Sequence, residues 1–235
     1  MTDKPRAHRH RADGGYARGD ETRRRIIDAA IRLFGERGFE GASTREIAKA
    51  AGVNAPALQY YFDSKEGVYR ACAEFIAETM AAHFEPALDG AQTVLADAKA
   101  SRGALLQAFD QLMDNLADYM LLSQDAQQRR LFITHEQVGH GPSVLFDLLE
   151  QSVKPRIGEV TAQLVSRITG LKAEDTMTKI RVATLLGQLI VFQMTQRTLA
   201  SKLGWARMGP QEVAVIKETV RGQCRVLMDS WTQTG

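Results

Sequence analysis

Side chains suited to binding a phosphate and a flat polar edge lie close together between Ser43 and Lys65. Lys65 stands where a helix is expected to begin, so its ammonium group and the helix N-terminus could share one phosphate. Gln59 carries an amide that matches the donor and acceptor of an adenine edge. Arg45 adds a second cation. The residue types in this stretch therefore favour recognition of a phosphate-bearing partner over bond-breaking chemistry.

Local capping signals divide the same stretch into two short helices joined by a tight turn. Ser43 can cap the first helix, and Glu46, three residues later, can return the bond to the capping residue. Gly52 allows the positive φ that a sharp reversal needs. Asn54 can cap the second helix, whose first turn holds Pro56. This pattern predicts a helix-turn-helix, whose second helix presents small and aromatic side chains suited to lying in a groove.

The positive charge is concentrated near this helix-turn-helix. The 235 residues are 44% apolar and 25% charged, which is the balance of a globular protein. Residues 1–65 hold 13 Lys and Arg against 9 Asp and Glu, whereas the remainder holds 17 against 19. The surplus therefore lies where phosphate attraction would need it. Cys72 and Cys224 lie in apolar helical patterns and are expected to be small buried hydrophobes in a reducing cytoplasm.

Apolar periodicity predicts helices along the whole chain and no strand. Residues 1–19 are expected to form a mobile basic tail, and the alternative is an arm laid along DNA. A first helix is expected from Asp20 to a cap at Gly38, and another from Lys65 to about Phe84, stopped near Pro86. Residues 87–101 are expected to be a loose connection. The later predicted helices span 104–122, 129–138, 143–169 with a bend near Pro155 and Gly158, 174–203 and 210–231.

The segments IIDAAIRLFGERGF, STREIAKAAG and GVNAPALQYYFDSKEGVYRA resemble the N-terminal domain of the TetR family of bacterial transcription regulators. The match covers roughly residues 20–70. It implies an all-α dimer in which a three-helix DNA-binding domain at 20–66 follows the disordered tail at 1–19 and precedes a larger helical ligand-binding and dimerisation domain at 67–235. The implied partner is double-stranded operator DNA, and no cofactor is implied.

The resemblance also assigns roles by position. Thr44 and Lys65 would meet phosphates, and Arg45 would lie beside Thr44 at the start of the first short helix. Tyr60 and Tyr61 would bond to or pack on the DNA backbone. The residues that would face the bases are Ala55, Pro56, Ala57 and Gln59. Where many family members carry Tyr or a Thr-Tyr pairing, this chain has Ala57 and Gln59, so direct readout would depend mostly on Gln59 and Arg45.

The C-terminal half is similar to the CecR/YbiH-like subgroup of that family, through RRLFITHEQVGHGPSVLFDLLEQSVKP and LLGQLIVFQMTQRTLASKLGW. This similarity implies a repressor that responds to a small, apolar or aromatic effector. Residues 174–231 would form the homodimer interface, as the last two helices do in the family. The candidate effector-pocket residues are Phe109, Met113, Phe132, His135, Phe146, Gln193 and Arg197.

Other functions are weaker interpretations of the same chain. His135 and Glu136 with His140 suggest a metal site, but the two histidines lie five residues apart, about 140° around a helix, instead of on one face. An enzyme is another hypothesis, but the sequence shows no recognisable set of catalytic residues. An architectural DNA binder without an effector would not need the roughly 150 residues beyond the helix-turn-helix. No run of about 18 apolar residues and no secretory signal is evident, so a bacterial, nucleoid-associated cytoplasmic repressor without membrane contact is expected.

Overall fold

The computed structural model describes residues 13–122, 126–137, 139 and 141–232. This part of the chain is helical and without strands, which confirms the all-α class. None of its helices is long and apolar enough to cross a membrane. Its ten helices are α1 (Asp13–Gly41), α2 (Thr44–Ala50), α3 (Ala55–Phe62), α4 (Lys65–Ala96), α5 (Arg102–Leu121), α6 (Ala126–Gln137), α7 (Val144–Gln151), α8 (Val153–Thr169), α9 (Thr176–Leu203) and α10 (Pro210–Thr232).

The chain forms two compact units, and the division differs from the predicted one. The first unit comprises residues 1–75 together with 128–144, and the second comprises 76–127 and 145–235. The sequence placed residues 67–75 and 128–144 in the larger domain. The first unit therefore holds the helix-turn-helix, the first third of α4 and most of α6.

Aromatic side chains from three helices form the centre of the first unit. Phe34 and Phe39 come from α1, Tyr69 from α4 and Phe132 from α6, with ring centroids 4.6–6.2 Å apart. Each of these four side chains is at most 9% exposed. Gly38 lies inside α1 with φ 73° and ψ 175°, so the positive φ expected there kinks the helix, which continues to Gly41. This kink lets Phe39 stack beside Phe34.

Two predicted helix ends were wrong, namely the start of α1 and the end of α4. Residues 13–19, expected within the tail, form the start of α1, while residues 1–12 lie outside the described part of the chain. The predicted stop at Pro86 does not occur, because α4 continues to Ala96. A proline inside a helix removes one hydrogen bond, and here the burial of Phe84, Leu88 and Ala91 on one face offsets that loss.

The helix predicted over residues 143–169 is two helices, and the break precedes the expected bend. Ser152 separates α7 from α8 with φ −123° and ψ −93°. The ring of Pro155 would clash with the carbonyl of residue 151, four positions earlier, if one helix continued through both. The proline is therefore accepted in the first turn of α8, where its missing N–H costs little.

In the second unit, a ladder of ion pairs joins α5 to α10. Lys217 Nζ lies 2.6 Å from an Asp118 carboxylate oxygen, and Arg221 Nη2 lies 2.6 Å from Asp114 Oδ2. Arg225 pairs with Asp110, whose side chain is only 10% exposed. The acids and the cations are each spaced four residues apart and run antiparallel, so every pair uses the same face of both helices. A fourth pair, Arg102 with Asp229, has the opposite polarity.

Candidate nucleic-acid interface

A full capping box begins α2, as the sequence predicted. The Glu46 amide donates to Ser43 Oγ at 3.3 Å, and the Ser43 amide donates to Glu46 Oε2 at 3.1 Å. Arg37 of α1 adds an ion pair to the same carboxylate, with Nη1 2.6 Å from Oε1. The Ser43 hydroxyl and then Arg37 lower the pKa of Glu46 to about 2. The α2 N-terminus, which carries Thr44 and Arg45, is thus tied both to its own cap and to α1.

The turn and the second short helix also follow the sequence prediction. Gly52 has φ 67°, and the Val53 amide donates to the Ala48 carbonyl at 2.9 Å to close the turn. Asn54 Oδ1 accepts from the Ala57 amide at 2.8 Å, which caps α3. Pro56 lies in the first turn of that helix. The geometry is a helix-turn-helix in which α3 is fixed at its start by a side-chain cap.

The two faces of α3 differ sharply. Leu58 and Phe62 are buried, at 3% and 6% exposure, and pack into the unit. Tyr60 is 83% exposed and meets Tyr61 edge to face at 5.4 Å. Of the residues predicted to contact DNA, the exposed ones are Arg45, Ala55, Pro56, Gln59 and Tyr60, and the half-buried ones are Thr44, Ala57, Tyr61 and Lys65. Three of the four predicted base-facing residues, Ala55, Pro56 and Gln59, are therefore exposed, and the fourth, Ala57, is half-buried.

Lys65 is held in place at the first residue of α4. Its ammonium lies 4.5 Å from the centroid of the Phe39 ring and 3.5 Å from the Glu40 carbonyl oxygen. Ser64 caps this helix by accepting from the Gly67 amide at 3.1 Å. A cation fixed beside a capped helix N-terminus has the chemistry of a phosphate site.

A strained turn joins α3 to α4. Asp63 has φ 56° and ψ −47°, and the Ser64 amide donates to the Phe62 carbonyl at 2.5 Å across it. These angles belong to the rare γ-turn of positive φ. The turn brings the end of α3 and the start of α4 within two residues of each other.

The notch between these elements has a volume of about 560 Å³. It brings together six of the residues discussed above, namely Thr44, Arg45, Ala55, Gln59, Ser64 and Lys65. Two carboxylates, Glu40 and Asp63, also line the notch, so it carries both signs of charge, with the cations Arg45 and Lys65 and the Gln59 amide beside them. Such a surface can bind a phosphate backbone and contact base edges at the same time.

Two contacts in this interface were not predictable from the sequence. Arg37 reaches Glu46 across nine residues and the kink at Gly38, and Lys65 reaches Phe39 across 26 residues. Neither spacing belongs to one helix face, so no local pattern pointed to them. Each contact fixes a residue or helix end that lines the notch.

The seven candidate effector residues fall in both units. Phe132 lies in the aromatic centre of the first unit, and the His135 ring lies beside Gly38, with Nδ1 3.4 Å from the position a Cβ would take there. In the second unit, Phe109 and Met113 are buried on α5. Phe146 of α7 is 48% exposed, with Lys154 Nζ 4.9 Å from its ring centroid. The remaining two lie on α9, where Gln193 is half-buried and Arg197 is exposed.

The histidine–glutamate pair considered as a metal site has other contacts. Glu136 Oε1 accepts a hydrogen bond from the Tyr69 hydroxyl at 3.1 Å in a buried setting. Burial, followed by the neighbouring Glu136, raises the pKa of Tyr69 above its usual range, so the hydroxyl is a neutral donor. His140 lies outside the described residues. Cys72 and Cys224 are buried free thiols, as predicted.

Two known families match the chain in the regions just described. Residues 26–72 match the bacterial regulatory proteins of the tetR family. Residues 105–230, just over half of the chain, match the C-terminal domain of the HTH-type transcriptional dual regulator CecR. The CecR protein of Shigella flexneri is 29% identical over 216 residues, which are 92% of this chain and 95% of that protein.

Solved structures share the fold. A TetR-family regulator from Mesorhizobium loti superposes with a TM-score of 0.55 and 20% identity, covering 91% of this chain and 98% of its own. AibR, solved in complex with isovaleryl coenzyme A and operator DNA, superposes with a TM-score of 0.60 and 16% identity over 86% of this chain and 97% of its own. With these matches at both ends and the helix-turn-helix in the first unit, the chain belongs to the TetR family of DNA-binding transcription regulators, with a C-terminal domain of the CecR type.

Proposed function

We propose that this chain is a homodimeric repressor that binds a near-palindromic operator and leaves it when a small apolar or aromatic molecule binds. The relatives are regulators, and AibR was solved with both a ligand and operator DNA. The proposal assigns the chain no reaction and no cofactor. Effector binding would favour a spacing of the two helix-turn-helix elements that no longer fits successive major grooves, which is a population shift.

The observation that carries this proposal is the position of α6. By sequence, α6 belongs to the CecR-type region at residues 105–230, yet residues 128–144 are part of the DNA-binding unit. Gly35 of α1 allows the contact, because a Cβ there would lie 2.9 Å from the Gln128 carbonyl oxygen. Phe132 and Glu136 of α6 both contact Tyr69, four residues after Lys65. A change in α6 would therefore act directly on the helix that carries Lys65.

Exposed apolar side chains support dimerisation through α9 and α10. Eleven large hydrophobic residues are exposed in the described chain, and nine of them lie on these two helices. Met194 is 75% exposed and Val226 is 69% exposed. Exposed apolar side chains concentrated on two helices are typical of a protein interface. Two α3 helices related by a two-fold axis would need half-sites about 34–36 Å apart, or a related repeat.

A footprint of the DNA upstream of the chain's own gene tests the proposal. We expect two protected half-sites one helical turn apart, and loss of protection with at least one compound from a panel of antibiotics and aromatic molecules. Protection that no compound changes would contradict the effector and favour an architectural role. Chemical conversion of a compound by the protein would contradict the proposal that the chain catalyses no reaction. Expression of a reporter gene from the same promoter would distinguish a repressor from a dual regulator, which is how CecR is described.

The proposed roles of Lys65 and Gln59 can be separated on that operator. Lys65→Ala should weaken binding to every duplex by a similar factor, because a phosphate contact carries no base information. Gln59→Ala should instead reduce discrimination at one base position by about 1–3 kcal/mol. Competition titrations with single-base operator variants measure both effects. Equal losses for both variants on specific and random DNA would contradict this division of roles.

A further inference from the structure

The ring of Phe39 lies directly beside the cation that would bind a phosphate. The Lys65 ammonium is 4.5 Å from the Phe39 ring centroid and 3.5 Å from the Glu40 carbonyl oxygen. An ammonium over an aromatic face is attracted by the ring quadrupole, and its other side can still bind an anion. Lys65 is half-buried, so the ring limits the directions in which its long side chain can point. The position of the ring therefore determines where this cation lies.

The Phe39 ring is in turn held by other aromatic side chains of the first unit. Phe34 stacks on it with a centroid distance of 5.8 Å, and Tyr69 meets it edge to face at 5.2 Å. The preceding residue, Gly38, has φ 73°, which sets the direction of the backbone at Phe39. Side chains in such a packed cluster move together, so the ring can shift only if one of its neighbours shifts.

Gly141, in the connection between α6 and α7, is one of these neighbours. A Cβ at Gly141 would lie 3.3 Å from Phe39 Cβ and 3.5 Å from the Tyr69 hydroxyl oxygen. Glycine allows this close approach because it has no Cβ. The same tyrosine hydroxyl donates to Glu136 in the last turn of α6. Gly141 and Glu136 both belong to the CecR-type region, so a segment outside the helix-turn-helix limits the space that Phe39 can occupy.

We propose that Phe39 is a positioning residue for the Lys65 ammonium, and that the backbone at Gly141 holds Phe39 in place. The connection between α6 and α7 thereby regulates how strongly Lys65 binds a phosphate. A displacement of Gly141 changes operator affinity without changing which bases are preferred, because a phosphate contact carries no base information. The inference rests on the proposed operator binding through Lys65 and adds a regulatory input to it.

A double-mutant cycle between Phe39 and Lys65 tests the positioning role. Phe39→Leu keeps an apolar side chain but removes the ring face, so it should weaken binding to the footprinted operator by about 3- to 10-fold. The same change in a Lys65→Ala background should weaken binding by less than about 2-fold, since no cation remains to be positioned. Fluorescence anisotropy of the full-length variants with labelled operator duplex measures each affinity.

The salt dependence distinguishes a lost phosphate contact from a loosened fold. Between about 50 and 200 mM KCl, Lys65→Ala should make the slope of log K against log salt shallower by about 2 per dimer, one phosphate for each subunit. Phe39→Leu should make the slope shallower by about 1–2, and the double variant should match Lys65→Ala alone. A substitution that only destabilised the helix-turn-helix would lower the affinity without changing this slope.

Gly141→Ala tests the input from the connection between α6 and α7. Its methyl group would press on Phe39 Cβ, so operator affinity should fall by about 2- to 5-fold, and only when Lys65 is present. Gly158→Ala is the control, because a Cβ there meets no heavy atom within 4 Å. The control should leave operator affinity unchanged.

Equal losses with and without Lys65, for either Phe39→Leu or Gly141→Ala, would overturn the inference. Unchanged operator affinity in both single variants would do the same. Failure of the proposed function looks different, since the unmodified chain would then show no preference for the footprinted site over a random duplex.

Discussion

Asp63 holds the least favourable backbone conformation near the DNA-binding surface. It is the only non-glycine residue with positive φ in the described chain, and it joins α3 to α4. A side chain in this region costs of order 1 kcal/mol, which glycine avoids. We therefore expect Asp63→Gly to raise the free energy of unfolding by about 0.5–1.5 kcal/mol, measured by urea denaturation.

Asp175 provides the matched control for that substitution. It precedes α9 with φ −61° and makes no side-chain capping bond, so the aspartate conformation there is unstrained. Asp175→Gly should leave stability unchanged or lower it by a few tenths of a kcal/mol through unfolded-state entropy. If both variants gained equal stability, the γ-turn would not be the source of the strain.

The sequence correctly predicted individual hydrogen bonds where the two bonded residues lie three positions apart. Ser43 with Glu46, and Asn54 with Ala57, are visible in the sequence because capping fixes both the residue types and the spacing. The unusual angles of Asp63 left no such mark, since aspartate is ordinary in a turn between helices. The contact residues for DNA and effector remain predictions from the resemblance.

At the scale of elements, the close contact of α1 with α6 depends on Gly35. A Cβ at this position would also lie 3.2 Å from Leu131 Cβ and 3.3 Å from the Phe132 amide nitrogen. Because two of these neighbours are backbone atoms, α6 must move to accept a methyl group. Gly35→Ala should therefore lower the free energy of unfolding by about 1–3 kcal/mol, despite the better helix propensity of alanine.

Gly158 in α8 is the corresponding control for a helical glycine. A Cβ there meets no heavy atom within 4 Å, so Gly158→Ala should stabilise the protein by about 0.5–1 kcal/mol. Hydrogen exchange of α6 amides adds the local readout, with faster exchange expected only in the Gly35 variant. Unchanged exchange in α6 would contradict the proposed close contact.

The ladder between α5 and α10 specifies how those helices align. If α10 slid by one turn so that Lys217 faced Asp114 and Arg221 faced Asp110, two acid–base pairs would re-form. Arg102, however, would then face Arg225 instead of Asp229. The reversed pair thus favours a single register. Reversing the charge of one residue in a pair tests the ladder. Asp118→Lys and Lys217→Asp should each lower the free energy of unfolding by about 1–2 kcal/mol, because each substitution places two like charges side by side.

The double exchange of Asp118 and Lys217 should restore most of the lost stability. Added salt should reduce the effect of each single exchange, since both residues are partly exposed. Thermal unfolding of the four proteins gives the coupling energy directly. Additive losses in the double variant would mean that the two residues do not interact.

Element boundaries show what a local pattern can predict. Helix periodicity located α5, α9 and α10 to within about two residues, because each has a long amphipathic or apolar run. It failed at Pro86, where buried neighbours outweigh the local preference of proline. It also failed to place α6 in the first unit, since that packing joins residues about 60–100 positions apart in the chain.

For the whole molecule, dimerisation is the prediction on which operator binding depends. A glutamate placed on the apolar face of α9 or α10 would leave an unpaired charge in the proposed interface. Met194→Glu and Val226→Glu should therefore each give monomers in sedimentation. Operator affinity should fall by about 100-fold or more, because the two half-sites would no longer be bound together.

Phe146→Glu serves as the control, since Phe146 is also an exposed apolar residue but lies on α7. That variant should remain a dimer and keep its operator affinity. If Met194→Glu and Val226→Glu also remained dimeric, the interface would have to lie elsewhere. A monomer that still bound the operator at full affinity would contradict the two-fold arrangement.

The membership of α6 in the first unit also limits how such regulators can be recombined. A chimera cut once after Phe75 would give the grafted helix-turn-helix a foreign segment in place of residues 128–144. The aromatic side chains Phe34, Phe39 and Tyr69 would then contact a foreign segment whose side chains evolved to pack on a different DNA-binding domain. A functional graft must therefore carry both stretches of the donor's first unit, residues 1–75 and 128–144. DNA specificity can be exchanged between relatives only if these two stretches are transferred together.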